Sequence, residues 1–89
     1  MKAVITVTGK DKVGIIAAVS EECSKHGVNI VDISQTVLEE YFAMIMLVDL
    51  ADCTLPFDEL IRFLKEKGEE RALDIHIQRQ DIFEAMHRI

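Results

Sequence analysis

The chain has 89 residues, of which 49% are apolar and 29% charged, and its formal net charge is −6 from ten basic and sixteen acidic residues. This length predicts a single domain over residues 1–89, and the acidic balance excludes the basic surface by which proteins bind nucleic acid. Apolar runs are much shorter than the ~20 residues that cross a bilayer, and no signal segment opens the sequence, so we expect a cytoplasmic protein with no membrane partner.

The first third of the chain predicts a strand, a glycine-flanked loop and a helix. Residues 3–8 alternate around β-branched side chains, which is typical of a strand. After Gly14, apolar residues recur at the spacing of one helix face, in Ile15, Ile16, Val19 and Cys23. Gly27 stands where a helix C-terminus often takes a left-handed residue, so we expect the helix to end there.

Two strands follow and are predicted to form a hairpin. Val28–Leu38 is the first, and its apolar phase slips between Ile30 and Val31, which predicts a β-bulge. Residues 39–40 are a polar break before the second strand, Tyr41–Leu50.

The last third predicts a helix, a strand and a short helix. Pro56 opens the helix in this part of the chain that precedes the strand, and Gly68 is expected to end it. Residues 72–79 alternate as a strand, and Asp81 and Glu84 stand at capping-box spacing at the start of the final helix. The order βαββαβ plus a C-terminal helix predicts an α+β, ferredoxin-like fold, with an antiparallel sheet and two helices on one face.

The second face of this sheet is also predicted to be covered, because strand 41–50 is apolar on both sides. A strand with one solvated face alternates apolar and polar residues. The C-terminal helix, a second copy of the chain, or both would serve as the cover, and periodicity does not decide between them. A core of this size also gives only modest stability, which favours a homodimer.

The loop before the first helix is the main candidate for a binding site. Gly9 and Gly14 have the glycine spacing of a phosphate-binding loop. Ile15 and Ile16 stand where that loop needs Lys and Ser or Thr, so nucleotide hydrolysis is excluded. Free N–H groups at the helix start favour a carboxylate or phosphate, and Asp11 would accept from an ammonium group, which together suit an α-amino acid. Alternatively, the glycines only permit a tight turn that the aspartate caps.

Asn29 is the second candidate, because it follows the helix-ending glycine. Its neighbours Val28 and Ile30 are expected to be buried, so its amide needs partners. The amide either bonds its own turn, as asparagine often does, or is presented to a ligand.

The residues give weak support to an enzyme and none to a metal or cofactor. Cys23 and Cys53 lack zinc spacing, and Cys23 is expected to pack as a small hydrophobe. Ser20 and Ser24 have no base and orienting group nearby, and the histidines are scattered. A phosphatase of the same fold class is the most distant hypothesis, because the loop has lysines and no arginine.

The segment GKDKVGIIAAVSEECSKHGVNIVDISQTV resembles the N-terminal signature of ACT domains, in which a D-x-x-G loop and a helix precede G-[VI]-N-I and a strand. The signature positions are occupied by Asp11, Gly14, Gly27, Asn29 and Ile30. The tail Ile82–Ile89 is similar to that of small stand-alone bacterial and archaeal ACT proteins. A related ACT region occurs in the glycine cleavage system transcriptional repressor, which implies a link to glycine metabolism.

The resemblance implies regulation rather than catalysis. ACT domains bind amino acids or other small ligands in a cleft between the first loop, the first helix and the following strand, often where two ACT domains meet. Carried over by position, the ligand-binding residues are Asp11, Val13, Gly14, Ile15, Asn29 and Ile30. Most ACT domains are attached to an enzyme or a DNA-binding domain, and this chain has no room for one, so the expected target is a separate protein.

Two functions remain as hypotheses. The first is a homodimeric sensor that binds a small molecule, with Asn29 close to Gly14 in a shared pocket. An amino acid is the expected ligand, although Lys10 and Lys12 flank Asp11 and leave an anionic ligand open. The second is a dimerisation module that binds no ligand.

Overall fold

The computed structural model describes residues 1–10 and 14–86. Its elements in chain order are β1 (Lys2–Lys10), α1 (Ile15–Lys25), β2 (Asn29–Leu38), β3 (Tyr41–Asp49), α2 (Phe57–Glu70), β4 (Asp74–Arg79) and α3 (Gln80–Met86). The strands form one sheet in the order β2-β3-β1-β4, and each neighbouring pair is antiparallel. The predicted ferredoxin-like fold is confirmed.

Helices α1 and α2 cover one side of the sheet, which we call the helix face. α1 packs mainly on β2, and α2 packs on β4. Alternate residues of the central strands point into this layer, and three of them, Ile5, Met44 and Met46, are fully buried. The core lies between the helices and the sheet because β1 and β3 direct every second apolar side chain to that side.

Two local predictions are confirmed. The register between β2 and β3 shifts between Ile30 and Asp32, which leaves Val31 in a β-bulge. Gly27 has φ 71°, and the N–H of Val28 donates to the carbonyl of Cys23 at 2.9 Å. This left-handed residue and the bond across it form the glycine-dependent helix end that the sequence predicted.

The end of α2 differs from the prediction, because the helix continues past Gly68 to Glu70. Gly68 is buried, and a Cβ atom there would lie 2.8 Å from the carbonyl oxygen of Leu73 and 2.9 Å from Cγ1 of Ile75. The glycine therefore permits the close approach of α2 to β4 and does not end the helix.

The start of α3 also differs from the predicted capping box. The helix begins at Gln80, so Asp81 lies in its first turn. The carboxylate of Asp81 accepts from the N–H of Ile82 at 2.9 Å and from the Arg79 guanidinium at 2.9 Å. Asp81 therefore stabilises the helix start from inside the first turn.

The other side of the sheet, which we call the open face, is covered only in part. α3 packs on β1 and β4 there, and Nε2 of Gln78 donates to the sulfur of Met86 at 3.2 Å. Val4 is buried, whereas Tyr41 and Ile45 on β3 are 55% and 46% exposed. The C-terminal helix thus covers the β1 and β4 part of the face and leaves the β3 part exposed.

Candidate functional site

The start of α1 is the first part of the candidate site. Gly14 precedes the helix in a left-handed conformation, with φ 84°, and a Cβ atom there would meet no described atom within 4 Å. The helical hydrogen bonds begin with Ala18 N–H to the carbonyl of Gly14 at 2.9 Å. The N–H groups of the first turn therefore have no acceptor within the helix, and the space beside Gly14 lets a ligand approach the main chain.

The side chain of Ile15 points into the core and is not available to contact a ligand. It is 5% exposed and belongs to the core cluster with Val19 and Cys23. Its side chain anchors the first turn of α1 to the core, so its contribution to a ligand would come from its backbone N–H. Asp11 and Val13, the other two residues predicted for this loop, lie outside the described residues.

The start of β2 is the second part of the candidate site. Asn29 is exposed and pairs across the sheet with Asp49, while Val28 is buried and Ile30 is half-buried. Within residues 1–10 and 14–86, the Asn29 amide has no hydrogen-bond partner. The amide therefore does not bond its own turn, and it is accessible to an incoming group.

A single chain does not bring the two parts together. Lys10 pairs with Tyr41 at one end of the sheet, while Asn29 pairs with Asp49 at the opposite end. α1 begins after Gly14 and ends at Lys25, and its 11 residues span about 16 Å. The expected closeness of Asn29 to Gly14 is thus absent within one chain, because the helix separates them.

The β2 strand is an exposed edge of the sheet. It pairs only with β3 among the described strands. Three of its apolar side chains are about half exposed or more: Val31 at 49%, Val37 at 54% and Leu38 at 71%. An edge strand with unpaired backbone groups and exposed apolar side chains is a site where a second strand can add.

An open depression among the described residues does not include the predicted site. It measures about 1010 Å³ and lies at the Lys10 end of the sheet, mainly on the open face. Its lining includes Thr8, Thr36, Leu38 and Tyr41, and neither Gly14 nor Asn29 contributes. Gly14 and Asn29 therefore do not share this depression in one chain.

The described residues show no arrangement that would hold a metal ion, since no three His, Cys, Asp or Glu side chains of residues 1–10 and 14–86 converge. None of the described helices has the length and apolar character needed to cross a membrane. His76 bonds Asp74 at 3.0 Å, and both side chains are exposed on the open face.

The thiol of Cys23 lies in the buried core beside Ile15 and Val19. Burial raises the pKa of its thiol to about 11, and the charges of Cys53 and Glu22 add to the increase. The thiol is 2% exposed, so its ionised form would lose its hydration in the core. Cys23 is therefore protonated and unreactive at neutral pH, which confirms that it packs as a small hydrophobe.

We expect this thiol to make the free energy of unfolding fall as the pH rises from 9.0 to about 11. Below this window the thiol is protonated in both states, so it adds no pH dependence. Within it, the unfolded chain has lost the proton that the folded chain keeps, and ionisation favours unfolding by at most about 3 kcal/mol. Urea unfolding across the window, compared with Cys23→Ala, isolates the effect. Parallel pH profiles for the two proteins would contradict it.

The family follows from comparison with known proteins. The sequence model of the ACT domain matches residues 2–78, and the chain therefore belongs to the ACT domain family, whose members are typically regulatory domains that bind small molecules. It is 51% identical over 89 residues to a UPF0237 protein of Listeria innocua, with 100% of both chains covered. It is 46% identical over 88 residues to a UPF0237 protein of Methanopyrus kandleri, which covers 99% of this chain and 98% of that protein. Neither relative carries an enzymatic name.

Solved structures agree with this assignment. An ACT domain protein from Streptococcus pneumoniae has a TM-score of 0.83 at 48% identity, with 98% of each chain covered. A protein described as a glycine cleavage system transcriptional repressor has a TM-score of 0.74 at 23% identity, over 89% of this chain and 45% of that chain. At that identity the second likeness shows the fold alone.

Proposed function

We propose that this ACT domain is a homodimeric sensor that binds an α-amino acid between two chains and regulates a separate protein. The observation that carries this proposal is the position of the two halves. Asn29 begins the exposed edge strand β2, whereas α1 begins shortly after Lys10, which lies at the opposite end of the sheet. The proposed site offers partners to a carboxylate and to an ammonium group. The ligand is held and not transformed, because the four site residues that the structure describes, Gly14, Ile15, Asn29 and Ile30, include no nucleophile.

The first half of the site would hold the carboxylate. The N–H groups of the first turn of α1 lack helical acceptors, and the helix dipole favours a negative charge at this end. Gly14 leaves room for the ligand to reach them. Asp11, carried over from the ACT signature, would accept from the ammonium group.

The second half would come from the other chain. When two edge strands pair as antiparallel neighbours around a two-fold axis, the start of each lies beside the end of the other. For β2, this places Asn29 of one chain at the Leu38 end of the second chain. α1 of that second chain begins at the same end of its sheet, after Gly14. The pairing would therefore bring Asn29 of one chain close to the start of α1 of the other, two points that lie far apart within one chain.

The same edge supports a second candidate function, a dimerisation module without a ligand. Val37 and Leu38 are exposed apolar side chains that a paired second copy would cover, whether or not a ligand binds. The two candidates differ in whether the ends of α1 and β2 hold a molecule in the dimer.

Titration with the twenty amino acids in a thermal-unfolding assay distinguishes the two candidate functions. A ligand at a hundred times its dissociation constant adds about 2.7 kcal/mol to the stability of the folded state. For a domain of this size we expect a rise in Tm of roughly 10 to 20 °C. Asp11→Ala and Asn29→Ala should each abolish the rise.

Glu66→Ala is the matched control, because it removes one carboxylate from the exposed side of α2 and should leave the rise unchanged. Light scattering on the same samples reports the oligomeric state. A firm dimer whose Tm no amino acid changes would instead support the ligand-free module.

A further inference from the structure

The open depression at the Lys10 end of the sheet contains a hollow centred on Ala43. This residue pairs with Thr8 of β1 and with Thr36 of β2, and paired residues of antiparallel strands project from the same face. Along β3, the next side chains on that face are Tyr41 and Ile45. Strand geometry places the Cα atoms of the two threonines about 10 Å apart and those of Tyr41 and Ile45 about 14 Å apart. The small alanine side chain is therefore a floor with larger side chains on all four sides.

The hollow is apolar and open to solvent. Ala43 is exposed, as are the Tyr41 ring and the Ile45 side chain. Helix α3 covers Val4 farther along the open face, and none of its described residues lines the depression. The whole depression, at about 1010 Å³, has the volume of a small-molecule site. An aromatic ring laid on Ala43 would contact the Tyr41 ring, an arrangement that aromatic pairs favour.

Lys10 supplies a positive charge at the rim of the hollow. It pairs with Tyr41, so its side chain projects from the same face, and it is exposed. Within residues 1–10 and 14–86, its ammonium group forms no ion pair. An anionic group held beside the Tyr41 ring would therefore meet a cation that no described carboxylate neutralises by direct contact.

Two carboxylates also line the depression, and both are less well placed to face the hollow. Asp74 pairs with Thr8 and so lies two strands away from Ala43, and its carboxylate bonds His76 at 3.0 Å. Glu69 belongs to α2, which packs on the helix face of the sheet. The charge next to the Tyr41 ring is therefore positive, which favours an anionic ligand over a cationic one.

We propose that the hollow over Ala43 binds an aromatic carboxylic acid. The ring would lie on Ala43 against Tyr41, and the carboxylate would accept from the Lys10 ammonium group. The hydroxyl groups of Thr8 and Thr36 would bond polar substituents at the ring edge. All five residues belong to one chain, so this site is separate from the amino-acid site proposed above and does not depend on the formation of a dimer.

NMR titration of the 15N-labelled full chain with 2-naphthoate tests the proposal. We expect saturable shifts of the backbone amides of Thr8, Thr36 and Ala43, with that of Asn29 unchanged. The neutral 2-naphthamide should bind about twofold to fivefold more weakly, which corresponds to one exposed ion pair. The cationic 2-naphthylmethylamine should bind more weakly still.

Two variants, each with a matched control, locate the site. Ala43→Leu fills the floor and should weaken 2-naphthoate binding at least tenfold, whereas Ala51→Leu, at an exposed alanine in the turn after β3, should leave it unchanged. Lys10→Gln should weaken binding of the acid about twofold to fivefold and leave that of 2-naphthamide unaltered. Lys2→Gln, on the same strand and face but at the opposite end, should affect neither.

The absence of saturable shifts in the wild-type protein would overturn the proposal. So would wild-type affinity in Ala43→Leu, or tighter binding of the amine than of the acid. Light scattering on Ala43→Leu detects the other possible occupant. A lower oligomeric state than the wild type, together with no binding of 2-naphthoate by the wild type, would overturn the proposal and assign the hollow to a second copy of the chain.

Discussion

Replacing Gly27 by alanine is expected to lower the free energy of unfolding by about 3 to 4 kcal/mol. The residue has φ 71°, a conformation that costs a residue with a Cβ about 1 kcal/mol or more. The larger part of the loss in stability is steric, since the new Cβ atom would clash with the carbonyl oxygen of Asp52. That oxygen belongs to the backbone of the turn after β3, so relief requires the turn to separate from α1.

Gly14→Ala is the matched control for this prediction. Gly14 has φ 84°, similar to that of Gly27, but a Cβ atom there would meet no described atom within 4 Å. We therefore expect it to cost only about 1 kcal/mol, the conformational part alone. Both substitutions change the entropy of the unfolded chain equally, so urea unfolding of the two variants isolates the steric part. Equal losses would show that the contact with Asp52 does not constrain Gly27.

Most of the fold could be predicted from the sequence, because apolar periods of two and of about 3.6 residues alternate clearly along it. The bulge at Val31 was visible as a slip in the apolar phase, and the end of α1 as a glycine after a helical stripe. These features depend on neighbours in the sequence, so a local pattern is enough to find them.

The failed predictions depend on contacts between distant segments. Gly68 resembles a helix-ending glycine in the sequence, but its role is set by Leu73 and Ile75, which need the space that a Cβ would occupy. The sequence does not show which element covers the open face. Apolar residues on β3 do not reveal that α3 packs on β1 and β4 and leaves β3 exposed.

The sequence could predict which residues belong to the candidate site, but not how they lie relative to one another. The start of α1 and Asn29 were identified by residue type and by their place in the ACT signature. Their separation follows from the fold, since a helix that leads from the end of one strand to the start of another separates those two points by its length. The exposed edge at β2 was missed, although in a βαββαβ order the second strand lies at the edge. That topological rule was the available signal.

The proposed site shared between two chains predicts a binding result that a site within one chain does not. Each proposed site would take Asp11 from one chain and Asn29 from the other, so Asp11→Ala and Asn29→Ala would each damage both sites of a homodimer. In a mixed dimer of the two variants, both changes fall in the same site. The remaining site then has two wild-type halves.

Calorimetric titration of that mixed dimer, with the amino acid that raises Tm most, is the most direct measurement. The two variants carry different affinity tags and are purified as a pair, with a tagged wild-type pair as the reference. The proposed function predicts no binding by either variant alone, and half the wild-type stoichiometry with wild-type affinity in the mixed dimer. A mixed dimer that binds nothing, while the wild-type pair binds, would contradict a site shared across the β2 edge.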